Sequence, residues 1–191
     1  MKEPQSTLDA GCLQGSGFMQ QGDYDSARES YEKTLQEDAD NVEALYGLGL
    51  IHQHFESYQT ASDYYARALN VTRIHPVLLN NFGIVSAYLG DYPKAINAFE
   101  QAIALKPGFA DARRNLARIY IESGEYEKGV QTYHNFLKEN PGDVAGLISF
   151  AGLYQEIGDS ESARYLYEKV LEIEPENTLA LNGLEPRVVP A

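Results

Sequence analysis

Tryptophan is absent from the 191 residues, and there is a single cysteine, Cys12. One cysteine excludes an internal disulfide and the four-cysteine metal patterns, and it points to the cytoplasm and a buried thiol. No apolar run approaches the length needed to span a bilayer. The opening "MKEPQSTLDAGCLQG" lacks an apolar h-region, so no signal peptide is read there. The lipoprotein-like "DAGC" lacks the hydrophobic stretch that would give it meaning. Positive charge is scarce: 15 Lys and Arg against 28 Asp and Glu leave a net charge of −13. That balance argues against the phosphate backbone of a nucleic acid as the main ligand. An apolar content of 43% excludes gross disorder.

What is present is a period. Gly15, Gly49, Gly83, Ala117 and Ala151 stand 34 apart, as do Ala27, Ala61, Ala95, Gly129 and Ala163. An aromatic series, Tyr31, Tyr65, Phe99, Tyr133 and Tyr167, keeps the same interval, and so does Ala39, Arg73, Pro107, Pro141, Pro175. Five units therefore run without insertion over 8–41, 42–75, 76–109, 110–143 and 144–177, between tails at 1–7 and 185–191. Each unit splits into two amphipathic helices. In the third, Leu78, Leu79, Phe82, Val85 and Leu89 recur at helical spacing over 76–89. "GDYP" breaks that helix, and a second follows from about 92 to 105 with Ile96, Phe99 and Ile103 on one face. Small residues at Gly83 and Ala95 let the two helices approach closely.

This pattern resembles the tetratricopeptide repeat family over about nine-tenths of the chain. The resemblance implies an all-α fold: an α-solenoid, a right-handed superhelix of five 34-residue helix-turn-helix repeats plus a short C-terminal helix at 178–184. First helices would line a concave groove and second helices the outer wall. The first unit matches poorly: Gly11, Gly15 and Gly17 each cost about 1 kcal/mol relative to alanine, which predicts fraying. Gly11 also takes a place usually held by a large apolar residue. In the fourth unit Phe136 stands where alanine is usual, and a volume trade with Gly129 is expected.

No enzyme, metal or cofactor emerges. His52 and His54 lie two apart, on different faces of a helix, and cannot readily share an ion. His52 is in register with Tyr120 and Tyr154, which reads as packing. His75 and His134 have no Ser, Cys or paired carboxylate at a recurring distance. "GSG" at 15–17 lacks the strand and lysine of a phosphate loop. Ten of the 14 tyrosines, Tyr58 and Tyr126 among them, fall at the repeat's own aromatic positions and are read as core.

The ligand surface expected from the resemblance is the groove. It would be lined by Tyr46, Leu50 and Gln53 in the second unit, Asn80, Asn81, Ile84 and Tyr88 in the third, Arg114, Asn115 and Arg118 in the fourth, and Ser149 in the fifth. Glu43, His54, Val77, Ile121, Ile148 and Gln155 share those repeat positions. Tyr46, Leu50, Ile84 and Tyr88 would supply apolar contact. Asn81 and Asn115 share one repeat position, where an amide suits an extended main chain; helix-surface asparagine is the simpler reading. Arg114 and Arg118 could fork onto an acidic group, or else satisfy neighbours such as Asp111 and Glu122. The carboxylate clamp of chaperone-binding family members lacks its basic residues here.

The expected function is that of a non-enzymatic adaptor or scaffold binding an extended peptide or protein segment. The partner is a protein rather than a nucleic acid or a bilayer interior. Two alternatives stand beside it. One is a scaffold that self-associates end to end through its terminal repeats, forming a homo-oligomer. The other is a substrate-recruiting module of a larger enzyme or complex.

Overall fold

The computed structural model describes residues 5–72 and 74–185. Arg73 of the repeat pattern, and most of the two expected tails, lie outside them. Among the described residues the only regular structure is α-helix, with no strand. The helices are α1 (Gln5–Gln21), α2 (Tyr24–Glu37), α3 (Val42–His54), α4 (Tyr58–Val71), α5 (Pro76–Tyr88), α6 (Tyr92–Leu105), α7 (Ala110–Glu122), α8 (Tyr126–Glu139), α9 (Val144–Glu156), α10 (Ser160–Ile173) and α11 (Thr178–Leu184). From α1 to α10 they form antiparallel pairs, and the second helix of each pair starts 34 residues after the last. None is long and apolar enough to cross a membrane.

Local chemistry sets the ends. Asp23, Asn41, Asp91, Asp143, Asp159 and Asn177 each accept the backbone N–H three residues on, satisfying a donor the helix leaves orphaned. At α5 the cap is His75, whose Nδ1 accepts from the Leu78 N–H at 3.0 Å. Inside the hairpins the chain reverses through a left-handed residue: Gly22, Gly90, Gly124 and Gly158 have φ between 75° and 86°. Glu56 holds the same place in the α3–α4 turn with φ 57°.

The chain divides into two compact units, Met1–Phe109 with α1–α6 and Ala110–Ala191 with α7–α11. In the first unit the small and aromatic series prove to be two halves of one contact. A Cβ on Gly15 would lie 2.7 Å from the Tyr31 ring, and one on Gly83 would lie 2.6 Å from Phe99. Gly49 faces Tyr65 in the same way. Each second-helix ring thus lies in the space that its own first helix leaves empty. α1 runs as one helix through Gly11, Gly15 and Gly17. The place of a large side chain at Gly11 is taken by Thr34, whose Oγ1 would be 2.5 Å from a Cβ there.

In the second unit Ala117, Tyr133, Phe150, Ala151, Leu166 and Tyr167 join one apolar cluster, closed at its end by Ala180 of α11. The expected trade between Phe136 and Gly129 is not what is found. Phe136 is accommodated by Gly146 on α9, where a Cβ would lie 2.5 Å from its ring. The room at Gly129 is taken by Ile121. Both substitutions are compensated, each by a different neighbour.

Candidate functional site

In the first unit the expected groove residues lie on α3 and α5. Asn81 Nδ2 donates to the Tyr46 hydroxyl at 2.9 Å, joining residues 35 apart in sequence. The Tyr46 ring lies 5.9 Å from Tyr65 and 5.6 Å from His75. Burial pushes its phenol pKa up, and the Asn81 bond opposes that. Leu50 and Ile84 are half-buried, and Tyr88 is 61% exposed. Gln53 turns to its own hairpin: its Oε1 accepts from the Tyr65 hydroxyl at 2.7 Å. Asn80 is buried, so its side chain offers nothing to a ligand on the surface.

The second unit departs further from expectation. Arg114 Nη1 meets both carboxylate oxygens of Asp143, at 3.0 and 3.1 Å, and Nη2 donates to Asp111. Arg118 pairs with Glu122 at 3.6 Å. Arg113 donates to Glu139. The arginine fork expected for an acidic ligand is therefore already matched by carboxylates of its own unit. Ile121 is buried against Gly129, and Ser149 donates to the Ala145 carbonyl at 2.7 Å. Asn115 is half-buried. Gln155 repeats the role of Gln53: it accepts from the Tyr167 hydroxyl at 3.2 Å and donates to the Gly183 carbonyl at 3.0 Å.

The histidines separate as helical geometry requires. His52 stacks on Tyr64 with centroids 5.4 Å apart, and burial lowers its pKa. His54 stacks on Tyr24 at 4.2 Å. Cys12 is buried, its thiol 3.4 Å from Asn41 Oδ1, the oxygen that also caps α3.

Two surface features carry no signal in the sequence pattern. Tyr58, expected in the core, is half-buried and lies face to face on exposed Tyr88, with centroids 4.4 Å apart and rings 3° from parallel. Tyr126, also expected in the core, is 52% exposed. The second surface is a concavity of about 980 Å³ on the second-helix side of the second unit, floored by Leu137, Phe150 and Leu166. On its wall the Tyr154 hydroxyl and His134 Nε2 are 3.3 Å apart. Neither has a motif. The repeat register marks Tyr58 as an aromatic position and Tyr88 as a groove position, but nothing one-dimensional shows that the two rings stack.

Family models described as tetratricopeptide repeat match residues 12–76, 87–149 and 147–177. No curated protein matches the sequence. Among solved structures, MamA is 25% identical, with 97% of this chain and 100% of that one covered and a TM-score of 0.77. YrrB, described as having an unusual peptide-binding site, is 21% identical over 88% of this chain and 87% of its own, with a TM-score of 0.71. Pseudomonas aeruginosa pilF is 20% identical over 94% and 82%, with a TM-score of 0.78.

Proposed function

The chain belongs to the tetratricopeptide repeat family, and we propose that it is a non-enzymatic adaptor whose first-helix wall in the first unit binds an extended segment of a partner protein. Proteins of this fold generally serve as protein–protein interaction scaffolds, and one neighbour in fold, YrrB, is described by its peptide site. The observation that carries the reading is the Asn81–Tyr46 bond, which ties α5 to α3, the helices that also carry half-buried Ile84 and Leu50. Tyr46 engages one Nδ2 hydrogen of Asn81, so its Oδ1 and second N–H can pair with a main-chain N–H and C=O. Leu50 and Ile84 supply apolar area, worth about 1–3 kcal/mol each when fully covered. That the sequence has one cysteine, Cys12, and that its side chain is buried, supports the cytoplasm as the working compartment.

Photo-crosslinking tests this directly. A benzophenone side chain at Leu50 or Ile84 should capture a discrete partner in native cells, and one at Gln101 on the second-helix face of α6 should not. Adducts from residue 101 alone would overturn the proposal.

End-to-end self-association has one observation in its favour: Leu179 and Leu181 of α11 are 61% and 45% exposed. Light scattering of Leu179→Glu with Leu181→Glu decides it. A mass that rises with concentration in the parent and not in the variant would support assembly, and a monomer in both excludes it.

A further inference from the structure

Glu56 occupies a backbone conformation that the sister turns give to Gly22, Gly90, Gly124 and Gly158. A side chain is disfavoured there, so the turn keeps its carboxylate at the expense of stability. Two residues on, Tyr58 is stacked on Tyr88, which leaves 61% of Tyr88 open to solvent. The Glu56 charge is close enough to bear on the Tyr58 phenol. One hairpin earlier, Tyr24 and His54 stack at the equivalent positions, 4.2 Å apart and 23° from parallel, and Phe55, 56% exposed, stands edge-on to both. Among the described residues the first helices bring no positive charge to these stacks: α1, α3 and α5 contain no lysine or arginine. The described cations of the first unit, Arg28, Lys33, Arg67, Lys94 and Lys106, are on second helices or just beyond α6. Arg28 and Lys94 are already paired, with Asp25 and Asp91.

We propose that this edge selects the partner: it takes the arginine or lysine side chains of a basic segment, one on the Tyr58–Tyr88 stack beside Glu56 and another on the Tyr24–His54 stack. The proposal rests on the first-helix wall being the binding surface and adds what binds there. The face of an aromatic ring carries negative potential and attracts a cation placed over it. Glu56 adds a full charge, and the net charge of −13 steers a basic chain towards the protein. An acidic segment would meet no cation on these helices. A purely apolar one would leave Glu56 without a counter-charge.

The test uses fluorescein-labelled peptides repeating Gly-Arg-Ala-Ala, with versions in which every arginine is citrulline or glutamate, read by fluorescence anisotropy against the full chain. The arginine peptide should bind and the other two should not. Tyr88→Ala should weaken it about two- to fivefold, the share of one exposed cation–π contact, and Tyr88→Phe should restore it. Glu56→Gly should weaken binding while raising the melting temperature, an opposition that a merely structural role would not produce. Equal affinity of parent and Tyr88→Ala would reduce the attraction to diffuse charge and overturn the proposal, as would binding of the citrulline peptide. Binding of the glutamate peptide, or sensitivity to Ile84→Glu without sensitivity to Tyr88 or Glu56, would sink the basic edge and leave the groove standing. Crosslinks confined to residue 101 would remove the groove itself.

Discussion

Arg114 and Asp143 are locked by a two-oxygen contact at 3.0 and 3.1 Å, and the same Asp143 carboxylate caps α9. One side chain on α7 thereby steadies the start of the helix two further on. Arg114→Ala should cost about 1–2 kcal/mol in urea unfolding, as loss of a hydrogen-bonded charge contact at a half-buried site does. Asp143→Asn keeps a capping oxygen and should cost less. If Arg114→Ala were neutral, the arginine would be free for a ligand after all.

Gly146 exists to admit Phe136. Gly146→Ala should destabilise by about 1–3 kcal/mol through overpacking, and combining it with Phe136→Leu should recover part of that. A double-mutant cycle measures the coupling, and strictly additive losses would show that the contact is not what constrains residue 146.

Gln53 holds the hydroxyl of Tyr65, which is fully buried. Gln53→Ala should cost about 1–3 kcal/mol by leaving that hydroxyl unmatched. On a Tyr65→Phe background the same change should cost far less. Thermal melts of the two singles and the double read this out.

Burial pushes the Tyr133 phenol up to about 12, with Arg118 and Arg114 opposing the shift. The unfolded phenol ionises near 10. Between those values the unfolded chain has lost the proton that the folded one keeps, so stability falls as pH rises, by about 1.4 kcal/mol per pH unit from this group. Below pH 10 its contribution is full. Tyr133→Phe should flatten that part of the curve, seen as a smaller loss of urea stability from pH 10 upward. Tyr65, whose pKa burial also raises, will keep some of the slope.

Most of the helix layout is legible in the chain because two independent signals coincide. Apolar spacing marks a helix face, and glycine or asparagine at the boundary marks where the backbone must reverse or cap. That is why the limits at Tyr92 and Leu105 follow from "GDYP" and the Pro107 break. Contacts between neighbours are another matter. Nothing in "ADARRNLARIY" shows that Arg114 reaches Asp143, because the partner stands 29 residues on in a turn whose position depends on packing. Phe136 shows the same limit: its size announces a compensation, but two glycines were available and only the fold chooses Gly146. Asn80 and Asn81 are adjacent in sequence. A helix turn sends one inward and one to Tyr46, a difference of rotation finer than a repeat register resolves.

Gln155 spends its oxygen on Tyr167 and its amide on the Gly183 carbonyl, so one side chain latches the last helix to the pair beneath it. Lifting α11 would rob that latch of its anchor and wet the ring edge that Gly183 shelters. Disorder beginning at this end is therefore not confined to seven residues. It loosens α10 in the same event, and a protease would find its first foothold there.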